Sequence, residues 1–232
     1  MYLGLDLGTS GLKGILISED QAVVGTAEQN YPVQNLSKGW SEQNPNDWLN
    51  ACEKVINLLA SQYSSQISDL KGIGISGHMH GATLLDDRDS VIRSCILWND
   101  TRAYLEAKNM DAFPSFREIS GNIVFPGFTA PKVAWVEKNE PENFRRISTI
   151  LLPKDYVRLW LTGDLISEMS DAAGTSWLDL HNRCWSEKLL GLSRLDLGQM
   201  PRLIEGSEVG GALRAELRRR WNIRRDVVVA GG

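Results

Sequence analysis

Residues 6–13 read Asp6-Leu7-Gly8-Thr9-Ser10-Gly11-Leu12-Lys13, and this stretch constrains the fold more than any other. An apolar run ends in an acid, four residues with two glycines and two hydroxyls follow, and a second apolar run begins. Such a connection is too short for anything but a hairpin, so the chain must open with antiparallel strands. The same turn suits an anion. Gly8 and Gly11 let the backbone approach closely or adopt positive φ, so that amides and the Thr9 and Ser10 hydroxyls can face phosphate oxygens. Asp6, at the strand end, is placed to hold Mg²⁺ through water. Lys13 adds a positive charge if the pleat directs it to the same side. The spacing is not that of a Walker A loop, which leads into a helix.

Beyond the turn, alternating apolar residues predict strands over 2–7, 12–17 and 23–30, an antiparallel meander. Trp48, Cys52, Val55 and Leu59 share one helical face, with Asn44 as cap and Pro45 in the first turn, so a helix is expected over 45–60. A buried strand is expected over 70–76, and shorter strands over 82–85, 91–98 and 149–152. Helical spacing recurs over 131–137, 154–161, 186–190 and 212–221, and Val227 to Ala230 form a β-branched run ending in two glycines. The pattern is that of an α/β domain with a mixed sheet. A strand end in such a fold is where ligands bind.

Composition removes several function classes. The 232 residues are 42% hydrophobic and 23% charged, as in an ordinary globular protein, and the net charge of -4 is wrong for a chain whose main partner is nucleic acid. The basic stretch Arg214–Arg225 is interleaved with Leu213, Leu217 and Trp221 at a spacing of four, which reads as an amphipathic helix with a solvated face. Three cysteines without paired spacing suggest neither a disulfide framework nor a zinc site, and with no signal segment or long apolar run the expected compartment is the cytoplasm, with no membrane role.

Two further motifs carry candidate chemistry. Gly77-His78-Met79-His80-Gly81 follows the predicted buried strand, where the His80 imidazole can offer a donor and an acceptor to a sugar and Met79 an apolar wall, although core packing serves Met79 nearly as well. In Ile96-Leu97-Trp98-Asn99-Asp100-Thr101-Arg102, Trp98 can stack on a sugar face or belong to the core, and Asn99 and Asp100 can bind hydroxyls.

The first turn, meander and helix together resemble the opening of the actin, hexokinase and heat-shock ATPase superfamily. Trp40-Ser41-Glu42-Gln43-Asn44-Pro45 and the Gly77–Asp86 segment resemble more specifically the FGGY carbohydrate kinases, which include glycerol kinase, gluconokinase, ribulokinase and xylulokinase. Gly127–Lys132, Leu152–Tyr156 and Ser170–Thr175 extend that resemblance over the whole chain. His78 departs from the pattern, which has glutamine there. Glycerol kinases have arginine and glutamate where Met79 and His80 stand, which disfavours glycerol.

The resemblance implies a ribonuclease-H-like domain with helices on both sides of a mixed sheet. Residues 1–232 would be the N-terminal sugar-binding domain of an ATP- and Mg²⁺-dependent kinase. Its expected substrate is D-xylulose, phosphorylated on the terminal hydroxyl; a related ketose, gluconate or a polyol is the nearest alternative, and a non-catalytic sugar-binding module the more distant one. Asp6 would organise Mg²⁺, Gly8–Gly11 and Lys13 the phosphates, and Met79, His80, Trp98, Asn99 and Asp100 the sugar. The family's catalytic aspartate directly follows the glycines aligned with Gly231 and Gly232, so these residues alone are expected to fold without turning over. Homodimers are common in the family, but no residue here decides the point.

Overall fold

A computed structural model describes residues 1–232. The central sheet contains β1 (Tyr2–Leu7), β2 (Gly11–Ile17), β3 (Val23–Asn30), β4 (Gly72–Gly77), β5 (Val209–Ala212) and β6 (Val228–Ala230), in the order β5-β6-β4-β1-β2-β3. The opening meander is antiparallel, as expected; β4 runs parallel to β1, and β6 parallel to β4. Three parallel carboxyl ends, at Leu7, Gly77 and Ala230, therefore lie side by side.

Helix α1 (Pro45–Gln62) covers one face of the sheet through Trp48, Cys52, Val55 and Leu59, capped by the Asn44 side chain on the Asn46 amide. Gly14 on β2 permits this approach, since a Cβ there would lie 2.5 Å from a Val55 methyl. Helix α2 (Thr129–Asn139) belongs to a second lobe, and α3 (Pro153–Thr162) packs beside α1 on the same sheet face. The opposite face, with Gly4, Asp6, Lys13 and Ile15 on it, is left open, so helices cover one side of the sheet within these residues.

Two hydrophobic cores result. The larger joins the sheet to α1 and α3. The smaller gathers Leu84, Ile96, Phe116, Val133, Ile150 and Trp177 around the strand pair Thr83–Leu85 and Thr149–Leu151. No helix is long and apolar enough to cross a membrane.

Some expectations fail for local reasons. Of residues 91–98 only Cys95–Ile96 form a strand, pairing with Glu42–Gln43. Residues 212–221 divide: Val209–Ala212 join the sheet as β5, and the helix is confined to Ala215–Arg220. The helices Tyr104–Asp111 and Pro114–Ser120 were not expected, because each buries only two side chains and so carries little periodicity.

Gly14→Ala is expected to lower stability by about 1–3 kcal/mol through overpacking against α1, and Val55→Ala in the same chain should recover part of the loss. Urea unfolding midpoints check both.

Candidate functional site

The turn between β1 and β2 closes with the Gly8 amide donating to the Gly11 carbonyl. Neither glycine adopts positive φ. Close approach is what demands glycine: a Cβ on Gly11 would stand 2.6 Å from the Asn30 side chain and 2.9 Å from the Gln29 carbonyl. The amides of Thr9 and Ser10 find no acceptor in the chain, which leaves two donors at the tip. Asp6 and Lys13 are direct cross-strand partners, so the pleat sends both side chains to the same face. Both line an open groove of about 910 Å³ together with Glu28, Ser76 and Gly232, and the Ser76 hydroxyl donates to Asp6 at 3.2 Å. No cluster of three or more potential metal ligands exists. The fit for Mg²⁺ is thus one exposed carboxylate beside a hydroxyl, an arrangement for an ion that keeps most of its water.

The loop after β4 is held tightly. The His78 amide donates to the Leu7 carbonyl, joining the loop to the end of β1. The His78 ring is buried edge-on against Trp48, 5.3 Å away, with neither nitrogen bonded. His78 therefore packs rather than faces a ligand. His80 is in the left-handed region at φ 63°, unusual for a non-glycine residue. Its carbonyl accepts from the Lys132 ammonium at 2.7 Å and from the Thr129 hydroxyl at 3.1 Å. Its ring rests against Phe128 at 4.8 Å and fills the space a side chain on Gly174 would need. Burial, and secondarily the Lys132 charge, pull His78 and His80 each down to about 4, so both imidazoles are neutral at neutral pH. Met79 is 45% exposed beside them.

Trp98 is 40% exposed, and its indole N–H donates to the Thr9 hydroxyl at 3.1 Å. This bond joins the expected sugar loop to the expected phosphate turn. Asn99 turns elsewhere, into a separate depression with Asn35, Lys38 and Trp40. Asp100 corrects the sequence reading. It is 1% exposed, and its carboxylate is consumed by the Arg102 guanidinium, at 2.7 to 3.0 Å, and by the Ser41 amide at 2.6 Å. An acid so engaged has nothing left for a sugar hydroxyl.

Arg102 also bonds Glu42 at 2.5 Å and stacks on Trp40 at 3.7 Å. The Trp40–Pro45 motif is therefore scaffold. Its Gln43 donates to the Thr9 carbonyl at 2.6 Å and accepts from the buried Trp48 indole at 3.0 Å, pinning the turn from behind. The sequence reading did not single out Gln43, Thr129, Lys132, Phe128 or Gly174 for the site. The prior signal was that each lies in a quoted motif: Gln43 in Trp40–Pro45, Phe128, Thr129 and Lys132 in Gly127–Lys132, and Gly174 in Ser170–Thr175. Burial pulls the Lys132 ammonium down to about 7.

With this geometry defined, the profile of the FGGY family of carbohydrate kinases, N-terminal domain, matches residues 1–232. The chain belongs to the FGGY carbohydrate kinases. It is 49% identical to the xylulose kinase of Escherichia coli K12 and 41% identical to that of Lactococcus lactis, covering 100% and 99% of this chain but 48% and 46% of those proteins. The chain spans about half the length of the curated FGGY relatives it matches. Among solved structures, a xyloylose kinase from Brucella ovis superposes with a TM-score of 0.98 at 58% identity, over 100% of this chain and 48% of that one. The xylulose kinase from Rhodospirillum rubrum gives 0.94 at 27% identity, over 99% and 48%. The FGGY fold agrees with the α/β, mixed-sheet expectation.

Two outcomes follow. Asp100→Ala is expected to destabilise the fold by roughly 3–5 kcal/mol by removing one of the two carboxylates that neutralise a buried guanidinium and the acceptor of the Ser41 amide, read as a large fall in urea midpoint. For His78 and His80, folded values near 4 lie below the ordinary 6.5. The unfolded chain then binds more protons between those limits, so stability falls as pH drops from about 6.5 to about 4 and levels below. His78→Gln should flatten that slope in denaturation curves taken across the interval.

Proposed function

We propose that the full-length protein is an ATP-dependent kinase that phosphorylates D-xylulose on its terminal hydroxyl, giving D-xylulose 5-phosphate. The observation that carries this reading is the Trp98–Thr9 hydrogen bond, because it sets a sugar-type loop in contact with a phosphate-type turn at the carboxyl ends of parallel strands. A pure binding module has no use for the turn.

In this reading the Thr9 and Ser10 amides and hydroxyls hold terminal phosphate oxygens, and Lys13 contributes positive charge from the same face. Asp6, with Ser76 beside it, holds Mg²⁺ through water; when bound, the ion offsets charge on the phosphates. His80 binds sugar hydroxyls as a neutral imidazole, able to donate and to accept, while Met79 and Trp98 supply apolar walls. Asn99 and Asp100 have no direct part. The proton of the attacking hydroxyl passes to a carboxylate base. The sugar oxygen then bonds to the γ-phosphorus as its bond to the β–γ bridging oxygen breaks, and ADP leaves. The nucleotide pocket belongs largely to the half of the protein that relatives carry beyond these residues.

Steady-state assays of the full-length enzyme against D-xylulose, D-ribulose, gluconate and glycerol should place D-xylulose first in kcat/KM. A clear preference for another sugar would overturn the substrate. Asp6→Asn is expected to reduce kcat about 10²-fold with a smaller change in KM for the sugar.

A further inference from the structure

The second buried ionic cluster lies at the opposite end of the row of parallel strands. Lys154 and Arg158, one turn apart on α3, are 3% and 0% exposed. The Lys154 ammonium bonds Glu168 at 3.0 Å and lies 3.3 Å from Asp171, and Arg158 bonds Asp155 at 2.7 Å. Glu168 caps the short helix α4 (Met169–Ala173), accepting the Ser170 and Asp171 amides at 2.8 Å each. Burial pushes Glu168 up, but the Ser170 hydroxyl, the Lys154 charge and the Asp171 amide outweigh it and hold the carboxyl at about 2.

Stability alone does not account for where these groups point. Arg158 spends one N–H on its carboxylate and directs others at backbone: the Ile166 carbonyl at 2.9 Å, the Ala230 carbonyl at 3.4 Å, and the Gly231 carbonyl. The Lys154 amine occupies the space beside Gly232 that a side chain would fill, 2.6 Å from an ideal Cβ. Gly231 is equally crowded, with the Glu205 carbonyl 2.5 Å from where its Cβ would be. The double glycine is thus the form that lets backbone lie directly on this cluster. Gly232 in turn lines the groove that holds Asp6 and Ser76. Two strand spacings, about 10 Å, separate β6 from β1. Lys154 also touches the start of the sugar loop, its Cβ standing 3.0 Å from an ideal Cβ on Gly77.

We infer that Arg158 and Lys154 are positioning residues for phosphoryl transfer, Arg158 by bonding and Lys154 by abutting the Gly231–Gly232 backbone, and that they so fix the edge of the groove that Gly232 forms relative to Asp6 and the sugar loop. This rests on the proposed kinase reading for its catalytic consequence but not for its structural one. Both act through the backbone that Arg158 bonds and Lys154 abuts. A misplacement of about 1 Å in a reacting group costs on the order of 10²-fold in rate.

The test uses Arg158→Lys and Lys154→Met in the full-length protein. Arg158→Lys keeps the charge opposite Asp155 but is too short and has too few donors to reach both glycine-end carbonyls, so it should fold and still fail to position. Hydrogen exchange of the 227–232 segment should quicken at least tenfold in each variant while the β1–β3 meander is unchanged. Turnover should fall about 10²-fold, with KM for sugar and ATP within threefold of the parent. A Lys154→Met protein that does not fold leaves Arg158→Lys to decide. Loss of thermal stability alone, with kcat and exchange at 227–232 both at parental values, would make the cluster merely structural and overturn the inference. If the parent enzyme instead phosphorylates a different sugar, the substrate proposal fails while the exchange and turnover comparison still judges the positioning role.

Discussion

A guanidinium removed from water must be paired on every side, and Arg102 shows how much structure that requirement can organise. Its partners come from three separate stretches of chain: Asp100 from its own loop, Trp40 and Glu42 from the segment that leads into α1, and Trp135 from α2. None can move without exposing the others. Because Asp100 is locked, Trp98 two residues earlier is presented to Thr9; because Glu42 is locked, Gln43 reaches the Thr9 carbonyl from the other side. The phosphate-type turn is thereby held by residues that never approach a ligand. Arg102 also joins the two hydrophobic cores, since Trp135 packs against the smaller core while Glu42 leads directly into α1 of the larger.

The fold was legible wherever a periodic pattern met an interrupting residue. The meander, α1 and β4 have strict spacing and Gly or Pro at their limits, and they lie within a residue or two of the expected bounds. The helices over 104–120 were not legible, since burial of two side chains apiece leaves no stripe to read. At the site, side-chain chemistry could be read but direction could not. Asp6 and Lys13 were identified, yet only strand register shows that they share a face. Asp100 offered the right chemistry for a sugar; its neutralisation by Arg102, two residues on, depends on a loop conformation that no periodicity encodes. The glycines of the first turn were expected to allow close approach or positive φ; neither has positive φ, and at Gly11 it is the neighbouring strand that leaves no room for a side chain.

Exposed and buried charges divide by task. Asp6 and Lys13 stay in solvent on the groove, where a ligand can exchange places with water at little cost, whereas Arg102 and Arg158 are buried and neutralised within the chain. Burial gives such groups fixed geometry, because a desolvated ion cannot leave its partners. Lys132 departs from this pattern. No carboxylate bonds it; its two hydrogen bonds run to the His80 and Gly127 carbonyls, and burial pulls it down to about 7. A buried ammonium without a counter-charge ought to be a weak point in the sugar loop. Two acceptors, however, need only two N–H donors, and a neutral amine still has two. The hold on the left-handed His80 backbone therefore does not depend on the charge of Lys132, and the loop can keep its shape through a pH range in which that charge is lost.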